Sequence, residues 1–565
     1  MLAALLVRNH QAGAERGATG SRSSTRVWRD RIPFPLAALS NEERPLRDAH
    51  VPAYLLLSAT LFASTLVVAV GFLQARAWQV EPVLTAIVAF LLALTVPPAV
   101  GKWLLLPTMR RPAPQAVPEG LRVAAVTTYV PGAEPLEMAD CTLRAMLAMV
   151  YPHECWLLDE GDDPAARALC AELGVAYFTR AGHPEYQTAD GTFQSRSKHG
   201  NYNAWLAEVG YARYEVVVSF DLDHVPGRQF LTATLGHLRD PAVGYVQAPQ
   251  AYYNQGASFV AAGAAEETYD FHSTVQMANH ALGYPIVVGC HNVHRTQALR
   301  DVGGYAAHTA DDVLITMLYR QRGWRGVYVP LILARGVTPV DWKTYLLQQR
   351  RWCRTLCDLK FRRQSGLLRE MPMASRWLSR LHGVFFLQPV LTCTSVAALL
   401  VATLATGRAP LILSSIPPWA WLALVAALLA CDLFRQQFFL DPAERGLRLR
   451  SRFLRIVKAP ALAAGVWDAL STRAFDFTIT RKSGAARDAA RTPKTVALGA
   501  MSFALLVALA WAWGAARPGP YPVWIHGLAG VALVASVATA ATDWINFPPP
   551  FERSLLVRKW APWLA

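Results

Sequence analysis

The amino-acid sequence predicts an α/β domain inserted between α-helical transmembrane segments, and three observations predict it. Six stretches that few charges interrupt are long enough to cross a bilayer core. Between the second and third of them, over Pro107–Arg380, short β-branched runs alternate with helical patterns, as in α/β folds. Acidic pairs also sit where apolar runs end, the edge at which open α/β sheets bind ligands.

The six stretches are Val51–Leu73, Val83–Leu106, Leu381–Leu404, Trp419–Leu440, Val496–Ala515 and Val523–Ile545. They raise the hydrophobic share of the 565 residues to 53% and leave charged residues at 17%, which a chain of ordinary buried helices does not need. Trp and Tyr near several ends mark an interface. Before them lies an arm rich in Arg, Ser, Ala and Gly, in which Met1–Val7 is too short for a signal-peptide core. The expected organisation is a disordered tail (1–50), two spans (51–106), the α/β domain (107–340), amphipathic interfacial helices (341–380), two spans (381–440), a basic interfacial segment (441–495), two spans (496–546) and a tail (547–565).

A net charge of +15 could suggest nucleic acid, but position decides against it. Arg435, Arg445, Arg448, Arg450, Arg452, Arg455 and Lys458 gather beside membrane spans, and Arg481, Lys482, Arg487, Arg491 and Lys494 follow. Anionic lipid headgroups are their natural partners. Loops Gln74–Pro82, Thr406–Pro418 and Arg517–Pro522 carry a single Arg each and so face outward by the positive-inside rule. Both termini and the α/β region are then expected in the cytoplasm of a multi-pass plasma-membrane protein. The eight cysteines show no C-x-x-C pair and are read as free thiols.

Within the α/β region, strands are expected at Arg122–Thr128, Cys155–Leu158, Val175–Phe178, Glu215–Phe220, Val243–Gln247, Ile286–Val288 and Gly326–Val329. Helices are expected at Leu136–Met149, Pro164–Glu172, Tyr202–Val209, Phe259–Ala281 and Asp312–Arg322.

Three groups of residues carry chemistry. In Ser219–His224 an apolar strand ends in Asp221 and Asp223, and two carboxylates so placed suit a hard divalent cation held against a diphosphate. His224 beside them reads as a structural neighbour. Thr309-Ala310-Asp311-Asp312 opens a helix; one carboxylate can cap it while the other meets a substrate hydroxyl as general base. Gln348-Gln349-Arg350-Arg351-Trp352 offers a phosphate-binding fork in Arg351, a stacking face in Trp352 and an amide in Gln348, on a helix that could equally lie on headgroups. Asp162 and Asp163 read as helix caps, and Asp432 and Arg435 as groups that snorkel to the interface.

Taken together these residues resemble the processive, membrane-integrated members of the family-two glycosyltransferases, the group of cellulose, hyaluronan and chitin synthases. Asp221-Leu222-Asp223, Ala310-Asp311-Asp312 and Gln348–Trp352 match that family's D-x-D, T-E-D and Q-x-x-R-W motifs in order, and Phe475–Gly484 resembles it more loosely. The resemblance implies a Rossmann-like nucleotide-sugar transferase domain of GT-A type, with Mg2+ or Mn2+ at Asp221 and Asp223. It further implies nucleotide-sugar contacts from Thr127, Thr128, Tyr129, Asp159, Glu160, Lys198, Asp221 and Arg351, and acceptor contacts from Gln247, Gln250, His291, Asn292, Gln348 and Trp352. Glu160 stands where a second Asp is usual, and the acceptor motif lacks its Thr-Glu start. Asp312 is the implied catalytic base by the register to Thr316 and Gly323-Trp324, with Asp311 as the fallback.

The implied activity is inverting, metal-dependent hexosyl transfer that polymerises a nucleotide-activated sugar, UDP-glucose by family frequency, into a β-linked polysaccharide. Translocation by the same chain is expected, with the growing polysaccharide and membrane lipids as partners and an accessory export subunit as an option. Two other functions stay open: a non-processive transferase adding sugar to a lipid carrier, and a transporter or receptor with a nucleotide-sensing domain.

Overall fold

The computed structural model describes residues 42–369, 383–471, 494–518 and 521–540, with 371, 373, 376, 379 and 380 between the first two stretches. The tail over 1–41, the Phe475–Gly484 segment and the C-terminal tail lie outside the described residues. The described residues form ten strands: β1 (Val123–Tyr129), β2 (Glu154–Asp159), β3 (Ala176–Thr179), β4 (Val216–Phe220), β5 (Val225–Pro226), β6 (Val243–Gln247), β7 (Ala251–Tyr252), β8 (Asn292–Arg295), β9 (Arg325–Tyr328) and β10 (Ala334–Gly336). Seven of them form one sheet in the order β3-β2-β1-β4-β8-β6-β9, and β5-β10-β7 form a small second sheet.

The first half of the large sheet is parallel, with β1 paired to β2 and β4 and β2 to β3. Side chains of alternate residues pack into opposite layers, as a period of two requires. Ala124, Val126, Trp156 and Val217 enter one core, while Val123, Ala125, Leu157 and Val218 enter the other. Both faces are covered, which is why these strands are apolar throughout.

The second half differs from the first. β8 runs antiparallel to β4 and β6, so the sheet is mixed. The run Ile286–Val288 is extended but forms no strand, because side chains take up its backbone donors. Ile286 N–H bonds Gln276 Oε1, Val287 N–H bonds Thr316 Oγ1 and Val288 N–H bonds Gln247 Oε1, each at 2.9 Å. The strand lies four residues on, in the polar run Asn292–Arg295, which apolar patterning passes over. The expected single helix Phe259–Ala281 is likewise broken, into Phe259–Glu266, a π-turn at Phe271–Val275 and Gln276–Ala281.

Among the described residues six helices are long and apolar enough to span a membrane, near the six sequence stretches. Much of their apolar surface points outward, with Leu55, Leu66, Val425 and Leu509 exposed. A core of Leu61, Val68, Trp103, Leu424 and Phe434 joins three of them and reaches the α/β domain through Met277 and Tyr328. The helix Trp342–Asp358 lies directly on Ala459–Leu470.

Candidate active site

β4 is buried at every residue, and the chain turns as it leaves the strand, with His224 N–H donating to the Asp221 carbonyl at 2.9 Å. The turn leaves Asp221 half-buried and Asp223 buried at one wall of a cavity of about 2860 Å³. Lys198 opens the helix Lys198–Trp205, whose first turn Ser197 caps through Gly200 N–H at 3.0 Å. Its Nζ donates to Asp221 Oδ1 at 2.5 Å and to the Gly289 carbonyl at 2.6 Å. Burial alone would lower the Lys198 pKa, but Asp221, Tyr202 and Asp311 together outweigh it and hold the ammonium well above its ordinary range.

Asp311 and Asp312 begin the helix Asp311–Gln321. Asp311 Oδ1 accepts from Asp312 N–H at 3.0 Å and Asp312 Oδ1 from Val313 N–H at 2.7 Å, so both carboxylates also serve the helix start. Their seat deep in the cavity disfavours charge; the charge of Asp311 further raises Asp312, and that of Asp221 further raises Asp311. Burial and then Asp311 push Asp312 up to about 7; burial also raises Asp311, against the pull of Lys198. Two adjacent carboxylates in one low-dielectric site cannot both ionise at their usual pH.

The helix Trp342–Asp358 is capped by Asp341, which accepts from Thr344 N–H at 2.8 Å. Gln348, Arg351 and Trp352, spaced i, i+3, i+4, share its cavity side. The carboxylates acting on Arg351 are those of Asp221 and Asp311. Arg350 points the other way and donates from Nε and Nη2 to both oxygens of Asp468 at 2.7 and 2.9 Å. The helices meet so closely that a Cβ at Gly465 would stand 2.7 Å from the Arg350 carbonyl. Site helix and interfacial helix are therefore two faces of one element.

Asp221, Asp223, Asp312, Lys198, Thr128, Glu160, Gln250, Gln348, Arg351 and Trp352 thus border one cavity, although they come from distant parts of the chain. Six other expected contacts lie behind its wall. Thr127 is fully buried in β1. Tyr129 is buried and hydrogen-bonds Asp163 at 3.1 Å. Asp159 has its carboxylate taken by Gly161 N–H, Asp163 N–H and Tyr177 OH, so it holds the loop that presents Glu160. Gln247 spends its amide on the carbonyls of Ala248, Cys290 and His291. Asn292 donates to the Val288 carbonyl and accepts from His294, and His291 is buried against His224. Main-chain groups nearby claim Asp159, Gln247, His291 and Asn292, which is what burial demands of polar side chains.

Several side chains matter that pattern reading passed over. Arg180, fully buried after β3, grips Glu160 through two nitrogens at 2.6 and 3.0 Å and donates to the carbonyls of Tyr186, Phe193 and Gln194, tying the loop before Lys198 to the site. A lone arginine at a strand end carries no signal of this. Arg435 does not snorkel: it is buried and paired with Asp270 of the α/β domain, which also accepts from Lys102 Nζ at 2.6 Å. Asp163 caps the helix Pro164–Leu173 as expected. His224, expected as a structural neighbour, has a ring nitrogen within 4.8 Å of carboxylate oxygens of Asp221 and Asp223.

Residues 216–432 match the model of the family described as "Glycosyl transferase family group 2". The chain is 28% identical over 272 residues to the cellulose synthase catalytic subunit [UDP-forming] of Xanthomonas axonopodis pv. citri (strain 306), covering 45% of this chain and 34% of that protein. It is 28% identical over 246 residues to the subunit of the same description from Pseudomonas fluorescens (strain SBW25), covering 42% and 31%. The alignments thus span about a third of the length of these curated relatives. Among solved structures, a mannosyltransferase from Pyrobaculum calidifontis in complex with GDP-Man and Mn2+ superposes with a TM-score of 0.48 at 19% identity, over 69% of this chain and 100% of that one. The residues Asp221, Asp223, Asp311, Asp312, Gln348, Arg351 and Trp352 all fall inside the stretch that matches this family's model.

Proposed function

We propose that this chain is an inverting, processive glycosyltransferase that polymerises a nucleotide-activated sugar into a β-linked polysaccharide at the cytoplasmic membrane face. The observation that carries the reading is one cavity. It begins at Asp221, Asp223, Asp311 and Asp312 at the strand ends and continues past Trp352 and Asp270 to Leu61, Leu94 and Phe386 beside the membrane helices. Donor, acceptor end and exit for a polymer therefore share a single space. UDP-glucose is the favoured donor, as the relatives' description as UDP-forming cellulose synthase subunits supports.

The donor set fits a hard divalent cation, Mg2+ or Mn2+: the carboxylates of Asp221 and Asp223, one residue apart just after β4. Such an ion, when bound, screens the charge of a departing diphosphate. Lys198 and Arg351 face the same carboxylates and neutralise negative charge from the other side. Asp312 takes the proton from the acceptor hydroxyl as it attacks, and a single displacement inverts the anomeric centre. Trp352, 40% exposed, presents a ring face for the acceptor sugar, and Gln348 and Gln250 offer amide hydrogen bonds. An α-linked donor then yields a β-linked chain.

The test is product formation by the purified chain in lipid nanodiscs with UDP-glucose, UDP-N-acetylglucosamine and GDP-mannose supplied separately. High-molecular-weight product from one donor, lost on chelation and in Asp223→Asn, is the expected outcome. Short or lipid-linked product alone would replace processive synthesis with transfer to a lipid carrier. No nucleotide release with any donor would overturn the enzymatic reading of this chain acting alone.

A further inference from the structure

Behind the carboxylate wall lies a second cluster of donors that the transfer reaction does not use. His224, Cys290 and His291 are all buried, and one ligand atom from each falls within 4.8 Å of the others. We propose that these three side chains form a softer cation site, one that takes a zinc-class ion beside the hard carboxylate site.

The chemistry of the donors separates the two sites. Asp221 and Asp223 offer carboxylate oxygens, the choice of Mg2+ and Mn2+, whereas a thiol and two imidazoles suit borderline-soft ions. Imidazole tautomers follow from their neighbours. His291 Nδ1 lies 2.8 Å from the Pro249 carbonyl, which can only accept, so that nitrogen carries the proton and Nε2 keeps a lone pair. His224 Nδ1 stands 2.8 Å from that lone pair and donates to it. A tetrahedral zinc with Zn–N bonds of about 2.0–2.1 Å separates its nitrogens by roughly 3.3 Å. The rings therefore need to part by only about half an ångström for an ion to replace the shared proton.

The framework holds the donors in place. His291 sits at φ +59°, a conformation side chains rarely adopt, and it is fixed there by Ser219 O accepting from its N–H at 3.0 Å and by its carbonyl accepting from Ala248 N–H at 2.9 Å. Backbone strain held from both sides is a mark of functional positions. Gln247 donates to the carbonyls of both Cys290 and His291 and pins the loop from behind. On the far side, the His224 ring packs against Gly336, where a Cβ would stand 2.2 Å from the ring. Entry is from the cavity, which His224, Asp223 and Gly289 border.

Protons balance simply. The Cys290 thiol loses its proton to solvent on becoming a thiolate ligand, and the His224 proton moves from Nδ1 to Nε2, so one proton is released per ion bound. The resulting positive charge faces Asp223. Because His224 directly follows Asp223, an ion in this site also fixes the turn that carries both carboxylates, and a zinc-class ion would act on transfer through that turn.

The wild-type chain in nanodiscs, with Mg2+ in excess to occupy the carboxylates, is titrated with Co2+ as a spectroscopic stand-in for zinc. A thiolate-to-cobalt charge-transfer band is expected, saturating at one ion per chain with release of one proton, and abolished by added Zn2+. X-ray absorption on the same sample should find a sulfur and two imidazole nitrogens around the cobalt. Cys290→Ser should remove the band, His291→Ala should weaken cobalt binding by about 10-fold or more, and Asp221→Asn and Cys353→Ser should leave it. The wild-type measurements decide the matter even where a variant fails to fold. An all-oxygen shell, no band, a band that survives in folded Cys290→Ser, or one that vanishes in folded Asp221→Asn would each overturn the proposal.

Discussion

The two ends of the cavity are built on opposite electrostatic plans. At the strand ends, Asp221, Asp223, Asp311 and Asp312 stand with Lys198 and Arg351, so carboxylates outnumber these two cations and Asp312 is driven up to about 7. At the membrane end, Asp270 and Asp432 meet Lys102, Arg435, Arg448 and Arg452, so carboxylates are outnumbered and fully paired. The first arrangement suits groups that must change partners during a reaction. The second suits groups that must stay where they are, because a charge buried beside lipid without a partner is costly.

The sharpest way to break this contrast is to neutralise a carboxylate at each end. Asp312→Asn should lower transfer by about 100- to 10,000-fold while leaving donor binding intact, since general-base catalysis is of that size. Isothermal titration with a donor analogue alongside the transfer assay separates the two effects. Asp270→Ala should instead destabilise the chain by about 3–5 kcal/mol, the cost of leaving Arg435 and Lys102 buried without their partner. Thermal unfolding in nanodiscs measures it, and an unfolding midpoint like that of the wild type would remove the structural role.

The pH dependence sharpens the same comparison. With Asp312 raised to about 7, its carboxylate is protonated below that value, so kcat/KM should fall as pH drops through about 7; an ordinary aspartate would keep the rate down to about pH 4. The sign for stability is the reverse. A carboxyl whose folded-state pKa lies above its unfolded value favours the fold when protonated, and that contribution is lost as pH rises from about 4 towards 7. Asp312→Asn should therefore raise the unfolding midpoint at pH 8 relative to wild type, and the gain should shrink towards pH 4. The smallest expected effect lies outside the cavity. Arg350→Ala removes a paired but partly exposed guanidinium from Asp468 and should cost about 1 kcal/mol in an unfolding measurement.

Different residues of the site were legible in the sequence to different degrees, for physical reasons. Asp221 and Asp223 were legible because a strand buried on both faces must be apolar, so its end is visible as the point where carboxylates begin. Gln348, Arg351 and Trp352 were legible as a set because helical periodicity puts them on one side. The β8 strand was missed because Asn292 and His294 are polar residues whose bonds run to Val288, Tyr319 and each other, leaving no apolar signature. Asp159 and Gln247 were expected at the ligand, yet local backbone donors and carbonyls claim both.

By itself the sequence determined that the chain has six apolar spans, an α/β region between the second and third, and three motifs, one at a strand end, one at a helix start and one along a helix. These follow from local periodicity and from the energetics of burying apolar surface, which each segment carries in its own composition. Only the tertiary structure decided which polar side chains face the cavity, that Arg180 buttresses Glu160, that Asp270 ties the domain to Arg435, and that His224, Cys290 and His291 meet. Such pairings join residues tens or hundreds of positions apart, and a buried polar group takes whichever partner the fold brings within hydrogen-bond reach.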